Sequence, residues 1–162
     1  MEFRKATPDD SDILASMRVE FLREVQDVYP GPRDEELIAS TAHYFRGATA
    51  RGEFISWLAL DGTETIGTGG ARLYELPPKY DNPTGMNAYI MNIYVKPEYR
   101  RQGIGERLFE LVLNEARERG VTTVHLHATE SGDPLYRKFG FTPRVSEMTL
   151  NTYGKQVIPR NG

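Results

Sequence analysis

Apolar residues near the start of the chain recur at helical spacing. Leu14, Met17 and Phe21 lie three or four residues apart, which predicts a helix over about 8–28. The preceding segment Thr7-Pro8-Asp9-Asp10 offers a capping side chain, a proline for the first turn and acids for the positive end of the helix dipole. A helix beginning close to Pro8 is therefore predicted.

The pattern then changes from a helical period to an extended one. A second helix is predicted from about Arg33 to Gly52, and the apolar run Phe54–Leu60 predicts a strand. Asp61-Gly62 is a tight-turn signal, and Thr65–Tyr74 is the predicted return strand. The later predicted elements are a loop over Leu76–Met86, a strand over Ala88–Val95, a helix from Gly103 to Gly120, a strand over Val121–Ala128, a short helix over Pro134–Phe139 and a final strand or strand pair over Phe141–Leu150.

Strands that alternate with helices around a central hairpin predict an α/β chain of the α+β type, with a mixed sheet and helices on its faces. No repeat, low-complexity segment or domain boundary interrupts the 162 residues, which predicts a single domain over 1–162.

Composition narrows the classes of function. A net charge of -3 argues against a nucleic-acid binder, which would carry a basic face. The absence of cysteine excludes disulfides, thiolate nucleophiles and cysteine-bound zinc. The beginning of the chain lacks the apolar core of a signal peptide, and no run approaches the length of a membrane span. A cytoplasmic location without membrane or nucleic-acid partners is expected.

The segment Arg100-Arg101-Gln102-Gly103-Ile104-Gly105 joins a predicted strand to a predicted helix. The first N–H groups of a helix have no partner within it, and with the positive end of the dipole they form an anion site. Glycines at 103 and 105 remove side chains that would keep a phosphate away from the backbone. A solvated strand-to-helix turn would show the same residues, so spacing alone leaves both interpretations open.

Two motifs, taken together, point to a known family. Tyr94-Val95-Lys96-Pro97-Glu98-Tyr99 and the turn that follows resemble the acetyl-CoA signature of the GNAT superfamily of N-acetyltransferases, with Arg100, Gly103 and Gly105 at its defining positions. Pro134-Leu135-Tyr136-Arg137-Lys138-Phe139-Gly140-Phe141 resembles the second signature of the same superfamily. The resemblance implies the GNAT fold, a single mixed, mostly antiparallel central sheet flanked by about four helices.

The resemblance also implies acetyl-CoA as cosubstrate, with no metal. Backbone groups of Ile93 and Val95 are expected to pair with the pantetheine arm, and the amides of residues 101–106 are expected to hold the pyrophosphate. The cofactor-binding residues that it implies are Ile93, Tyr94, Val95, Arg100, Arg101, Gln102, Gly103, Ile104, Gly105, Glu106 and Lys138.

Acetyl transfer to an amine requires a group that takes a proton and a group that protonates the leaving thiolate. The resemblance places Tyr136 in the second role, although a tyrosine that only packs beneath a sheet would look identical. Glu130 is the candidate base, against the alternative of a solvated loop carboxylate. His125 and His127 share a face of their predicted strand, but no third ligand accompanies them to form a metal site.

The acceptor is expected to be an amine on a small molecule, amino acid, aminoglycoside-like compound or protein. Its candidate contacts are Glu24, Tyr29, Tyr89 and Asn92, with the loop 77–85 as a possible rim. A homodimer through residues 149–158 is expected by resemblance only. A CoA-binding sensor without catalysis is the alternative that shares the same fold.

Overall fold

The structure is a computed structural model that describes residues 1–144 and 146–153. Helices alternate with strands along the described chain much as the sequence pattern predicts. The strands are β1 (Glu2–Lys5), β2 (Phe54–Asp61), β3 (Glu64–Glu75), β4 (Met86–Val95) and β5 (Thr123–His125). The helices are α1 (Ser11–Gln26), α2 (Asp34–Ala50), α3 (Ile104–Glu118) and α4 (Asp133–Lys138), with short 3-10 turns at Pro8–Asp10 and Pro97–Tyr99.

The strands form one sheet in the order β1-β2-β3-β4-β5. Neighbouring strands are antiparallel except for β4 and β5, which are parallel. The mixed, mostly antiparallel sheet and its helices confirm the predicted fold class.

Helices cover both faces of the sheet because adjacent residues of β2 point in opposite directions. Leu58 packs in a buried cluster with Leu14 of α1 and Phe45 of α2. Its neighbour Ala59 packs in a second buried cluster with Leu108 of α3. The α1 and α2 helices therefore lie on one face, which we call the α1 face, and α3 lies on the other.

Glycines let α3 lie close against β3. A Cβ atom at Gly67 would come within 3.1 Å of the Leu108 side chain and 3.2 Å of the Tyr94 carbonyl oxygen. Both separations are tight for a carbon atom, so a larger residue would displace α3. The beginning of α3, which follows β4 after the 3-10 turn at Pro97–Tyr99, is thereby held beside the end of that strand.

The connection from β1 to α1 is fixed by Asp10. Its carboxylate accepts hydrogen bonds from the Thr7 N–H (2.7 Å) and the Thr7 hydroxyl (3.1 Å). Arg4 donates two further hydrogen bonds to it, at 2.9 and 2.7 Å. The predicted helix start is thus a 3-10 turn that leads into α1 at Ser11.

Two strand predictions were wrong. The strand predicted over Val121–Ala128 is only three residues long, because β5 pairs with Asn87–Tyr89 of β4 and with no later residue of that strand. A strand or strand pair was predicted over Phe141–Leu150, but none of the described residues of this segment forms a strand. Pro143 has no N–H to donate to a sheet, and residues 142–144 and 146–150 are exposed, so no face of this segment is buried.

The chain divides into two compact units, Met1–Thr129 and Glu130–Gly162. The first contains the whole sheet with α1, α2 and α3. In the second, α4 carries an ion pair between Arg137 and Asp133 (2.6 Å), and the Tyr136 ring lies 6.3 Å from that of Phe141.

The Asp10 cluster predicts a pH dependence of stability. Hydrogen bonds from Arg4 hold the pKa of the Asp10 carboxyl at about 2, below its ordinary value of 3.8. A carboxyl with a lowered folded-state pKa stabilises the fold above its unfolded pKa, and this contribution is lost as pH falls through the folded value. Asp10→Asn should therefore cost about 1–2 kcal/mol at pH 6, and the difference from the parent should shrink between pH 4 and 2. Urea unfolding at several pH values measures it. A difference that stays constant with pH would contradict this role for Asp10.

Candidate functional site

The turn between β4 and α3 has an unusual backbone. Arg101 and Gly103 both adopt the left-handed conformation, with φ of 64° and 77°. Among the described residues, no backbone hydrogen bond is donated by the N–H groups of residues 101–105. These donors lie at the positive end of α3, a helix of 15 residues. The turn therefore presents several unpaired N–H groups where an anion is stabilised.

The glycines of the turn leave room for such an anion. A Cβ atom at Gly103 would meet nothing within 4 Å, and one at Gly105 would meet only the Val95 side chain at 3.7 Å. Neither glycine is needed to avoid a clash within the protein, although Gly103 is needed for its positive φ. Open space beside unpaired donors fits a phosphate-bearing cofactor.

Arg100 joins this turn to the first helix. Its Nε donates to the Val95 carbonyl oxygen (2.9 Å), and its Nη2 forms an ion pair with Glu24 of α1 (2.6 Å). The guanidinium also lies 5.7 Å from the centre of the Tyr94 ring. Glu24 raises the pKa of Arg100 by accepting this hydrogen bond. Glu24, predicted to contact the acceptor, therefore has its carboxylate bound to the turn.

Strand β4 carries a bulge at Asn92. This residue is buried and left-handed, with φ of 60°, and the pairing of β3 with β4 shifts register between Thr68 and Gly70. The Thr68 hydroxyl donates to the Asn92 carbonyl oxygen (3.0 Å), which holds the extra residue in place. The sequence singled out Asn92, but not the bulge.

Beyond Tyr89, the edge of β4 that faces β5 has no strand partner among the described residues. The Lys96 N–H points the other way, toward β3, where it donates to the Ile66 carbonyl oxygen (2.9 Å). Because backbone groups alternate along a strand, those of Ile93 and Val95 point to the free edge. The N–H groups of these two residues can therefore bind an extended ligand.

A polar cluster covers this part of β4 on the α1 face. Arg18 of α1 donates to the Asn92 side-chain oxygen (2.6 Å), and the Tyr89 hydroxyl is hydrogen-bonded to Nδ1 of His127. Met91 packs in the cluster that contains Leu14, and Tyr89 lies on the same face two residues earlier. The structure therefore groups two predicted acceptor contacts, Tyr89 and Asn92.

Sequence reasoning missed Arg18 in this cluster. The signal was available, because Arg18 lies four residues after Leu14 and three before Phe21, within the apolar stripe of α1. An arginine on the side of a helix that packs against a sheet requires a polar partner, which here is Asn92.

The other predicted contacts lie elsewhere. Tyr29, between α1 and α2, is 88% exposed. The loop 77–85 precedes β4 and is tied to the connection before β5, where the Thr84 hydroxyl donates to the Gly120 carbonyl oxygen (3.1 Å). That is the opposite end of β4 from the turn. An open cleft of about 580 Å³ at the same end is lined by Arg72, Glu75 and Arg119, among others.

Three predicted residues belong to the second unit. Glu130 precedes α4, and Tyr136 and Lys138 are part of it. Within this unit the Tyr136 ring lies 6.3 Å from the Phe141 ring.

Within the described residues, no group of three or more His, Cys, Asp or Glu side chains could hold a metal ion. In the same part of the chain, no helix has the length and apolar character needed to cross a bilayer.

Two solved structures that are similar to this chain over nearly its whole length are acetyltransferases. A predicted acetyltransferase from Clostridium acetobutylicum, crystallised with acetyl-CoA, is 32% identical with a TM-score of 0.82, over 93% of this chain and 95% of that one. A GCN5-related N-acetyltransferase from Ralstonia eutropha JMP134 is 29% identical with a TM-score of 0.82, over 94% of this chain and 99% of that one.

Curated relatives match over shorter segments. A putative [ribosomal protein bS18]-alanine N-acetyltransferase of Bacillus subtilis is 40% identical over 60 residues, 35% of this chain and 40% of the relative. A thialysine N-epsilon-acetyltransferase of Sus scrofa is 45% identical over 47 residues, 29% of this chain and 28% of the relative. The chain thus spans less than half of the length of these curated relatives.

The model of the acetyltransferase (GNAT) family matches residues 18–141, which include Arg18, the β4 bulge, the turn and α4. Since this match covers most of the chain, the protein belongs to the GNAT acetyltransferase family.

Proposed function

We propose that the protein transfers the acetyl group of acetyl-CoA to a primary amine. The observation that carries this proposal is the turn after β4, where the N–H groups of residues 101–105 have no backbone acceptor among the described residues. Family membership supports the pyrophosphate of CoA as the anion that such a turn would take.

The first unit contains most of the groups that would hold the cofactor. The amides of Arg101 to Glu106 would bind the pyrophosphate, and the free backbone edge at Ile93 and Val95 would bind the pantetheine arm. Arg100 would act indirectly, because its hydrogen bond to the Val95 carbonyl oxygen and its ion pair with Glu24 fix the turn relative to β4 and α1. Lys138 is carried over as a further contact by resemblance alone.

When bound, acetyl-CoA supplies an acetyl group activated as a thioester. In the transfer, the amine nitrogen forms a bond to the carbonyl carbon, and the carbon–sulfur bond breaks with its electron pair moving to sulfur. The nitrogen loses one proton and the thiolate gains one. A strand N–H such as that of Ile93 would stabilise the oxyanion, because such donors are already oriented.

Two residues are candidates for the base that takes the amine proton. Glu130 is proposed from the sequence. His127 belongs to the polar cluster around Arg18, where its ring is hydrogen-bonded to the Tyr89 hydroxyl. An imidazole nitrogen can accept a proton, and His127 borders the free edge of β4 through its contact with Tyr89, which favours His127.

The alternative is a CoA-binding sensor without catalysis. It would bind acetyl-CoA with the same turn but would release no CoA in the presence of any amine. The polar cluster on the α1 face favours the enzyme, because a sensor that binds only CoA has no need of hydrogen-bonding side chains on that face.

The role of the turn can be tested by comparing alanine substitutions at two glycines. Gly103 and Gly120 have nearly equal φ, 77° and 79°, and an added Cβ atom meets nothing within 4 Å at either. Alanine at either position should lower the free energy of unfolding by about 1–2 kcal/mol, because the backbone at both positions holds the alanine in the left-handed conformation. Only Gly103→Ala should weaken acetyl-CoA binding, by tenfold or more in calorimetry.

Gly105→Ala serves as a second variant without a positive φ. Its methyl group would meet only Val95 at an ordinary distance, so the fold should tolerate it while the approach of the pyrophosphate is hindered. Unchanged affinity in both Gly103→Ala and Gly105→Ala would show that the turn does not hold the cofactor.

The prediction for Tyr136 separates chemistry from packing. Tyr136→Phe keeps the ring that contacts Phe141 and removes only the hydroxyl. If the hydroxyl protonates the thiolate, kcat should fall by about 10²-fold or more, with little change in acetyl-CoA affinity. A variant with the parent's kcat would assign Tyr136 to packing alone.

The two candidate bases are distinguished by their pH profiles. His127→Gln should lower kcat/KM by about 10²-fold and abolish the acidic limb of its pH dependence if His127 takes the proton. Glu130→Gln should then retain both. The reverse pattern would identify Glu130 as the base and exclude His127.

A further inference from the structure

Arg18 is a half-buried cation without a counter-ion among the described residues. Its described hydrogen bond goes to the neutral side-chain oxygen of Asn92 at 2.6 Å, and it forms none of the ion pairs found among the described residues. Burial lowers the pKa of the Arg18 guanidinium, and only the phenols of Tyr89 and Tyr44, in their ionised form, act to raise it.

The other described arginines of comparable burial all form ion pairs. Among the described residues, the arginines that are not exposed are Arg18 and three others, each of which forms an ion pair. These pairs are Arg4 with Asp10, Arg23 with Asp34 and Arg72 with Glu53. The remaining described arginines without an ion pair have exposed side chains that water can solvate. Arg18 is therefore an exception to the way this chain places its arginines.

Arg18 lies beside the bulge and the free edge of β4. Its partner Asn92 forms the bulge of β4, just beyond the last residue that pairs with β5. Asn92 is 1% exposed, and its Nδ2 has no hydrogen-bond acceptor among the described residues. Tyr89 and His127 border the same region of the α1 face. The unpaired guanidinium thus lies where a small acceptor would approach the free edge of β4.

A structural role accounts poorly for this arrangement. A single hydrogen bond to an amide needs no positive charge, and removing a guanidinium from water without an anion is costly. Arginine also presents two parallel N–H groups that match a carboxylate, which glutamine or lysine cannot do. A purely cationic acceptor such as a polyamine would be repelled by Arg18.

We propose that Arg18 binds a carboxylate of the acceptor, so that the acceptor class is a primary amine that also carries a carboxylate, as a free amino acid does. This inference rests on the proposed acetyl transfer and assigns its substrate class. Asn92 positions the guanidinium, and the Tyr89 hydroxyl is a further hydrogen-bonding group near it.

The test uses acceptors matched in all but the carboxylate. The panel consists of free amino acids, their primary amides and the amines that result from their decarboxylation, with CoA release as the readout. For the best side chain, the parent protein should show a kcat/KM about 100-fold higher for the amino acid than for its amide or amine. Arg18→Gln should reduce this preference to within about threefold, and Arg18→Lys should restore part of it.

Arg23→Gln is the matched control. Arg23 is a half-buried arginine on the same helix, but it is paired with Asp34, so its loss should leave the carboxylate preference unchanged. Acetyl-CoA affinity should be the same in all variants, which shows that each is folded and that the cofactor site is intact.

A binding measurement covers the case of slow turnover. The melting temperature of the CoA-bound parent should rise with the preferred amino acid and not with its amide, and in Arg18→Gln neither should raise it. An equal preference in parent and Arg18→Gln overturns the proposal, as does a preference for amides, peptides or amines. Absence of any response to amino acids in both assays also overturns it, while intact acetyl-CoA binding leaves the cofactor site standing. Failure to bind acetyl-CoA would instead refute the proposed function itself.

Discussion

The bulge at Asn92 is the constraint on which the site depends. A left-handed asparagine costs about 1 kcal/mol relative to an extended residue, and here the Thr68 hydroxyl and Arg18 bind its two oxygens. Beyond Tyr89, the edge of β4 that faces β5 pairs with no described strand. The bulge lies within this unpaired stretch, so one short segment presents Arg18 on the α1 face and free backbone groups at the sheet edge.

Two contacts hold α1 against β4 and its end. Arg18 reaches Asn92 in the middle of the strand, and Glu24, about two turns further along the helix, binds Arg100 after the strand. The first contact lies on the proposed acceptor side and the second at the proposed cofactor turn. The α1 helix therefore borders both proposed sites, one through Arg18 and the other through Glu24.

Much of this could be predicted from the sequence, because local patterns determine it. The helices follow from apolar spacing, and the turn follows from Gly103 and Gly105 between a strand and a helix. The short β5 and the absence of a strand in the described part of 141–150 were missed, since strand pairing depends on distant partners rather than on local propensity. The position of Arg18 within the apolar stripe of α1 could be read from the sequence, but its lack of a counter-ion among the described residues is visible only when the surrounding side chains are placed.

In the proposed function, the amides of the turn and the free edge of β4 bind CoA together. Amide hydrogen exchange with and without CoA tests it residue by residue. We expect added protection at residues 101–106 and at Ile93 and Val95, while Gly120 at the far end of α3 stays unchanged. CoA binding that leaves residues 101–106, Ile93 and Val95 unprotected would show that the cofactor is held elsewhere.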